Sequence, residues 1–197
     1  GPALPVRGLW QASNSNGYTV IGSKFYQIRP DLTLLELGNL TAGRTNPCSF
    51  TDNGTTGLLV DGSNVGFQVV LATGAFSIVA DPTGIFTVAD RVDTVDTFIV
   101  CNMPGTKRFG TTLSNVTLEF DATQFAAKTN YPDLLQTLIV NRRELLLCGA
   151  VKSEIWYNAG NPTFPFAELP GAYIEHGIVA KYSLASSDIS VFWLGQD

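Results

Sequence analysis

The chain of 197 residues has little charge and very little catalytic equipment. Lys, Arg, Asp and Glu make up 15% of it while apolar residues reach 45%, and soluble domains ordinarily carry about 25% charge. A surface so short of charge is expected to meet other protein. His176 is the only histidine, so any Ser-His or Cys-His mechanism would have to run through it, and no G-x-S-x-G nucleophile elbow accompanies it. Its setting, Tyr173-Ile174-Glu175-His176-Gly177, reads as a strand or loop beside a turn, where the residue serves structure. The three cysteines, Cys48, Cys101 and Cys148, form an odd set with no C-x-x-C pair and no nearby histidine, against a disulfide framework or a zinc site. Cys101 and Cys148 each close an apolar run, as small buried hydrophobes do.

No apolar stretch approaches the ~20 residues that span a bilayer, so no membrane helix is expected. A net charge of -5 works against nonspecific nucleic-acid affinity. The two basic doublets, Lys107-Arg108 and Arg142-Arg143, read as exposed turns. Asp61-Gly62-Ser63-Asn64-Val65-Gly66 has neither the spacing nor the lysine of a phosphate loop, and no cofactor is expected. Gly1-Pro2 reads as a protease scar, and no basic region followed by an apolar run marks an export leader.

What the chain does have is a repeat. Apolar triplets at Tyr18-Thr19-Val20, Leu58-Leu59-Val60, Phe98-Ile99-Val100, Leu138-Ile139-Val140 and Ile178-Val179-Ala180 start 40 residues apart. Turn residues follow them: Gly22-Ser23, Asp61-Gly62, Pro104-Gly105, Asn141 to Glu144, and Ser186-Ser187-Asp188. The pattern predicts hairpins whose return strands are Lys24 to Ile28, Phe67 to Leu71, Lys107 to Thr111, Leu145 to Cys148 and Ile189 to Leu194. Further strands are expected at Leu32 to Leu37, Phe76 to Val79, Ile85 to Val88, Val116 to Phe120 and Ser153 to Tyr157, with Asp121 capping one short helical turn through Ala127. A period near 40 with three or four short strands per unit is the signature of propeller blades. The expected fold is all-β: a partial β-propeller over residues 3–197, built from repeated antiparallel hairpins. A β-sandwich is the alternative.

Asp90, Asp93 and Asp96 recur every third residue, the wrong spacing for a calcium loop, and read as solvated acids flanking a strand. A glycosidase needs two carboxylates across a cleft; Asp93, Asp96, Glu154 and Glu175 are available, but nothing in the sequence pairs them. Sequons at Asn39, Asn53 and Asn115 would mark acceptors only in a secreted glycoprotein. The densest aromatic stretch runs from Glu154 to Phe166. Its Trp156, Tyr157, Asn158, Phe164 and Phe166, with Trp193 further on, are the candidate residues for packing between blades or against a protein partner.

Phe120-Asp121-Ala122-Thr123-Gln124-Phe125-Ala126, Arg143-Glu144-Leu145-Leu146-Leu147-Cys148-Gly149, Ser153 to Gly160 and Phe164-Pro165-Phe166 together resemble the phage stabilisation family of short-tailed phages and prophages. The resemblance continues through Pro170-Gly171-Ala172-Tyr173-Ile174-Glu175-His176-Gly177 to Ser190-Val191-Phe192-Trp193-Leu194-Gly195. It departs from the family pattern at Leu146, where an aromatic is usual, and at His176, where arginine is frequent. The resemblance implies a propeller set as a ring in the virion tail and assembled in the bacterial cytoplasm. There it would dock on a portal-bound adaptor beside needle or tailspike proteins and close the DNA channel after packaging. It implies no catalytic, metal or cofactor residues. It also implies a longer parent, so that this chain is a partial ring with open blade faces, expected to self-associate with a second copy in the missing sector. A propeller glycosidase or carbohydrate-binding protein, and a propeller scaffold outside phages, are the competing readings.

Overall fold

The computed structural model describes residues 4–81, 86, 88–113 and 118–195. Gly1-Pro2, Ile85 and Thr87 of the expected 85–88 strand, Asn115, Val116 and Thr117 of the 116–120 run, and the terminal Gln196-Asp197 lie outside the described residues. Four antiparallel four-stranded sheets follow one another along the chain. The first holds β1 (Val6–Gln11), β2 (Gly17–Ile21), β3 (Lys24–Ile28) and β4 (Leu34–Asn39). The second holds β5 (Ser49–Asp52), β6 (Thr56–Val60), β7 (Gly66–Val70) and β8 (Phe76–Ile78). The third is β9 (Val92–Val95), β10 (Phe98–Asn102), β11 (Arg108–Thr111) and β12 (Phe125–Ala127), and the fourth β13 (Leu135–Asn141), β14 (Glu144–Gly149), β15 (Ser153–Asn158) and β16 (Phe166–Ile174). A last hairpin carries β17 (Ala185–Ser186) and β18 (Val191–Phe192), tied back by a bridge between Ile178 and Gly195. Each full sheet is a meander in chain order, the form of a propeller blade.

First strands begin at Val6, Ser49, Val92 and Leu135, a constant step of 43 residues, and Ile178 falls one step further on. The apolar triplets step by 40 and so slide across the blades. The first three lie on second strands and the last two on first-strand positions. Both positions are apolar because strands inside a propeller are covered on both faces. The expected helical turn after Asp121 is instead an Asx turn leading into strand β12: Asp121 Oδ1 accepts from Thr123 N at 2.8 Å, and Phe125 to Ala127 pair with β11. The strand is favoured because Phe125 then covers Gly110, where a Cβ would come within 2.4 Å of the ring.

Four apolar seams hold the blades. Between blades one and two, Tyr18, Val20 and Phe25 meet Phe50, Leu59 and Phe67, with Tyr18 stacked on Phe25 and Phe67 stacked on Phe76. Between two and three, Leu58, Val60 and Phe86 meet Val92, Ile99 and Phe120. Between three and four, Val100 and Phe109 meet Leu138, Leu145, Leu147 and Trp156. Between four and the last hairpin, Leu146 and Cys148 meet Ile178, Leu184 and the half-buried Val191 and Trp193. Strict alternation assigns the sides: Leu145 and Leu147 face one neighbour, Leu146 and Cys148 the other.

Phe109 is fully buried at the centre of the third seam. Replacing it by Ala should cost about 3–5 kcal/mol through lost burial and the cavity left behind, read as a lowered urea midpoint with an unchanged slope.

Candidate functional site

The aromatic segment is built into the seam between the third and fourth blades. Phe109 on β11 receives the Trp156 ring edge-on at 5.1 Å and the Phe164 ring at 5.6 Å. Phe98 meets Phe166 at 6.1 Å, and Phe166 meets Phe164 at 5.9 Å. Pleating explains the arrangement: Glu154 and Trp156 share one face of β15, and Trp156 Nε1 donates to Glu154 Oε2 at 3.2 Å. Tyr157 points the other way and is exposed. Asn158 Nδ2 donates to Asp96 Oδ2 at 3.1 Å. Trp193 lies apart from these five, on the fourth seam, where Nε1 donates to Gly177 O at 3.1 Å. With Leu146, Ile155, Ile174 and Val191 it lines a cavity of about 310 Å³ to which Asn141, Glu144 and Ser190 also contribute.

The three acids before Phe98 are not solvated side chains, and the expectation that they flank the strand in water is corrected. Asp90 is buried, accepts from Asn102 Nδ2 at 2.8 Å and pairs with Lys181 of the last hairpin. Asp93 Oδ2 accepts the Val140 N–H of the next blade at 2.7 Å. Asp96 pairs with Arg143 Nε at 2.6 Å, also across the seam. Partners 47 to 91 residues away in sequence are invisible to local spacing. Hydrogen bonds and charge from Arg143, the larger part, and from Asn158 hold the Asp96 carboxyl below its ordinary range. Burial pushes Asp93 up, although the N–H groups of Val140 and Thr94 oppose it.

A buried ionic cluster that sequence reasoning missed anchors the connection into the fourth blade. The Lys128 side chain is fully buried; its ammonium pairs with Asp133 Oδ1, lies 3.6 Å from Glu154 Oε1, and donates to Lys152 O at 3.3 Å. Glu154 accepts the backbone N–H of Asn130 at 2.8 Å and of Thr129 at 3.2 Å. Asp133 Oδ2 accepts from Val151 N at 2.7 Å and Lys152 N at 3.2 Å. Burial raises the Asp133 carboxyl, but the Lys128 ammonium and these N–H groups outweigh it, and the net shift is downward. The only available signal was a lysine in a polar loop, which predicts exposure. Of the four carboxylates considered for glycoside hydrolysis, Asp93 is bound to Val140, Asp96 to Arg143 and Glu154 to Lys128, while exposed Glu175 meets Lys152 at 3.3 Å. His176 is exposed, and its carbonyl accepts from Ser153 Oγ at 3.0 Å. Burial pushes all three thiols up to about 12, so they stay protonated and unreactive.

Residues 5–197 match the sequence profile of the family described as bacteriophage P22 Gp10, beta-propeller. The chain belongs to the phage stabilisation family. No curated protein matches it. Among solved structures, this phage stabilisation chain superposes on virginiamycin B lyase from Staphylococcus aureus with a TM-score of 0.64 at 10% identity, covering 99% of itself and 64% of that chain. A chain of the mitotic checkpoint complex gives 0.58 at 9% identity, covering 97% and 63%, and the computationally designed Ika8 protein gives 0.57 at 12%, covering 94% and 54%. At such identities the likeness carries the propeller fold alone. The chain spans less than two thirds of the length of each of these proteins.

Lys128→Met should destabilise by about 3–5 kcal/mol, because two carboxylates lose their buried cation; adding Glu154→Gln should recover part of that loss in urea titrations. For Asp96 the depressed value means a stabilisation fully present above the unfolded carboxylate range, near pH 4, and lost as pH falls through the folded value. Asp96→Asn should therefore flatten the acid limb of the stability curve below about pH 4. Native protein at pH 8 should leave a disulfide dye uncoloured, and unfolding should release all three thiols.

Proposed function

We propose that the chain is a structural part of the phage tail that seats on the portal-bound adaptor, beside needle or tailspike proteins, and closes the DNA channel after packaging. The observation that carries this reading is the family match across residues 5–197. Charge supports the way it would work: a chain of net charge -5 does not hold DNA by its phosphates, so the packaged genome is retained by protein contacts that shut the exit. The protein acts without catalysis, cofactor or metal, as a ring component of the virion assembled in the bacterial cytoplasm. Its surface chemistry fits such a role, since titratable side chains of the seams are spent on holding blades together.

Particles assembled without this protein should package DNA and then lose it, measured as genome content of purified heads. Particles that keep their genomes and carry complete tails would overturn the proposal. The glycosidase reading has its own test: host surface polysaccharide should show no hydrolysis by the wild-type chain, and Asp93, Asp96 and Glu154 substitutions should change nothing.

A further inference from the structure

The cluster around Lys128 holds an amine against a carboxyl group in a sealed site. The side chains of Lys128 and Glu154 are fully buried and that of Asp133 is 8% exposed. Burial penalises the charged forms of all three, which favours a neutral product of similar volume over the ion pair. Lys128 Nζ donates to Asp133 Oδ1, so the amine sits beside the Cγ carbon of that carboxyl. Asp133 is fixed in place: Oδ2 accepts from Val151 N at 2.7 Å and from Lys152 N at 3.2 Å. Gly149 makes the room for it, since a Cβ there would come within 2.2 Å of Oδ2. The two N–H groups form an oxyanion hole, aimed at the oxygen on which charge collects when Cγ becomes tetrahedral. Glu154 Oε1 lies 3.6 Å from Nζ, a short approach from taking a proton.

We propose that Lys128 and Asp133 condense with each other, without any enzyme, into an amide bond between their side chains, with Glu154 as the proton carrier. The Nζ–Cγ bond forms and the Cγ–Oδ1 bond breaks. One proton passes from Nζ to Oδ1 across their hydrogen bond, a second goes by way of Glu154, and Oδ1 leaves as water. The third proton of the ammonium stays as the amide N–H and keeps its acceptor, Lys152 O, at 3.3 Å. The amide oxygen, formerly Oδ2, keeps the N–H groups of Val151 and Lys152. Glu154 ends the reaction unchanged and retains three donors of its own, Asn130 N, Thr129 N and Trp156 Nε1. The product therefore strands no polar group of the cluster. Beside Glu154 a cavity of about 220 Å³, lined by Asn130, Lys152, Glu154 and Tyr173, receives the water. Burial favours the neutral carboxyl of Asp133, but the Lys128 ammonium and the two N–H groups hold it ionised on balance, so the neutral pair forms rarely and the bond closes slowly after folding. The reaction happens once in the life of each chain and turns over no substrate, which makes it independent of the role proposed for the chain in the tail.

The test is the intact mass of the 197-residue chain, measured under denaturing conditions before and after prolonged incubation in native buffer. The incubated protein should be lighter by one water, and a protease that cuts after lysine should no longer cut at Lys128. Lys128→Met and Glu154→Gln should each keep their full mass, as should the wild-type chain incubated in urea, where the folded geometry is lost. A folded wild-type chain that keeps its full mass overturns the proposal whether or not the variants fold. So does a water loss that maps to Asp61-Gly62, where a succinimide weighs the same, or one that appears equally in urea or in either variant.

Discussion

The second strands β6, β10 and β14 are apolar on both of their faces, and the whole structure depends on that. Leu59 points into one seam while Leu58 and Val60 point into the next; Val100 points into one while Ile99 and Cys101 point into another. A sheet of this kind cannot leave either face in water, so no blade is stable by itself. Neighbours must also match closely. Gly38 on β4 has no side chain because the Phe76 ring of the next blade lies where one would be, 2.3 Å from a Cβ built there.

Seams so apolar restrict the polar groups that enter them. A buried N–H or carboxylate without a partner costs as much as a good hydrogen bond contributes, and the partners here are supplied across blades: Asp93 to Val140 N, Arg91 Nε to Leu138 O, Thr51 to Thr94. Lys128 meets the same demand in a tighter setting, since an ammonium sealed from solvent persists only where carboxylates and a carbonyl surround it. The candidate aromatics follow suit. Trp156, Phe164 and Phe166 are committed to internal packing, and of the aromatics in that stretch Tyr157 is left exposed.

The fold was legible from the sequence because strands and turns are local. Lys24 to Ile28 coincides with β3, and Gly22, Gly62 and Gly105 adopt the positive φ that the expected turns require. The true repeat was harder to read, since apolar triplets mark first and second strands alike and their 40-residue spacing competes with the 43-residue step of the blades. The site was the least legible. Asp90, Asp93 and Asp96 looked solvated because their partners Lys181, Val140 and Arg143 are brought near only by the stacking of blades. Glu154 drew attention as a carboxylate, but its cation Lys128 lies in a polar connection that gives no hint of burial.

A stack of blades joined only to immediate neighbours behaves as a one-dimensional array, in which disorder can start at either end and travel inward one unit at a time. The ion pair between Lys181 and Asp90 breaks that rule. It ties the last hairpin to the third blade and passes over the fourth. Blades three, four and the hairpin are thereby coupled as a closed triangle, whereas blades one and two remain links in a line. Opening this arc at its C-terminal end therefore means parting from the third blade as well as the fourth, a contact with no counterpart among those described at the N-terminal end.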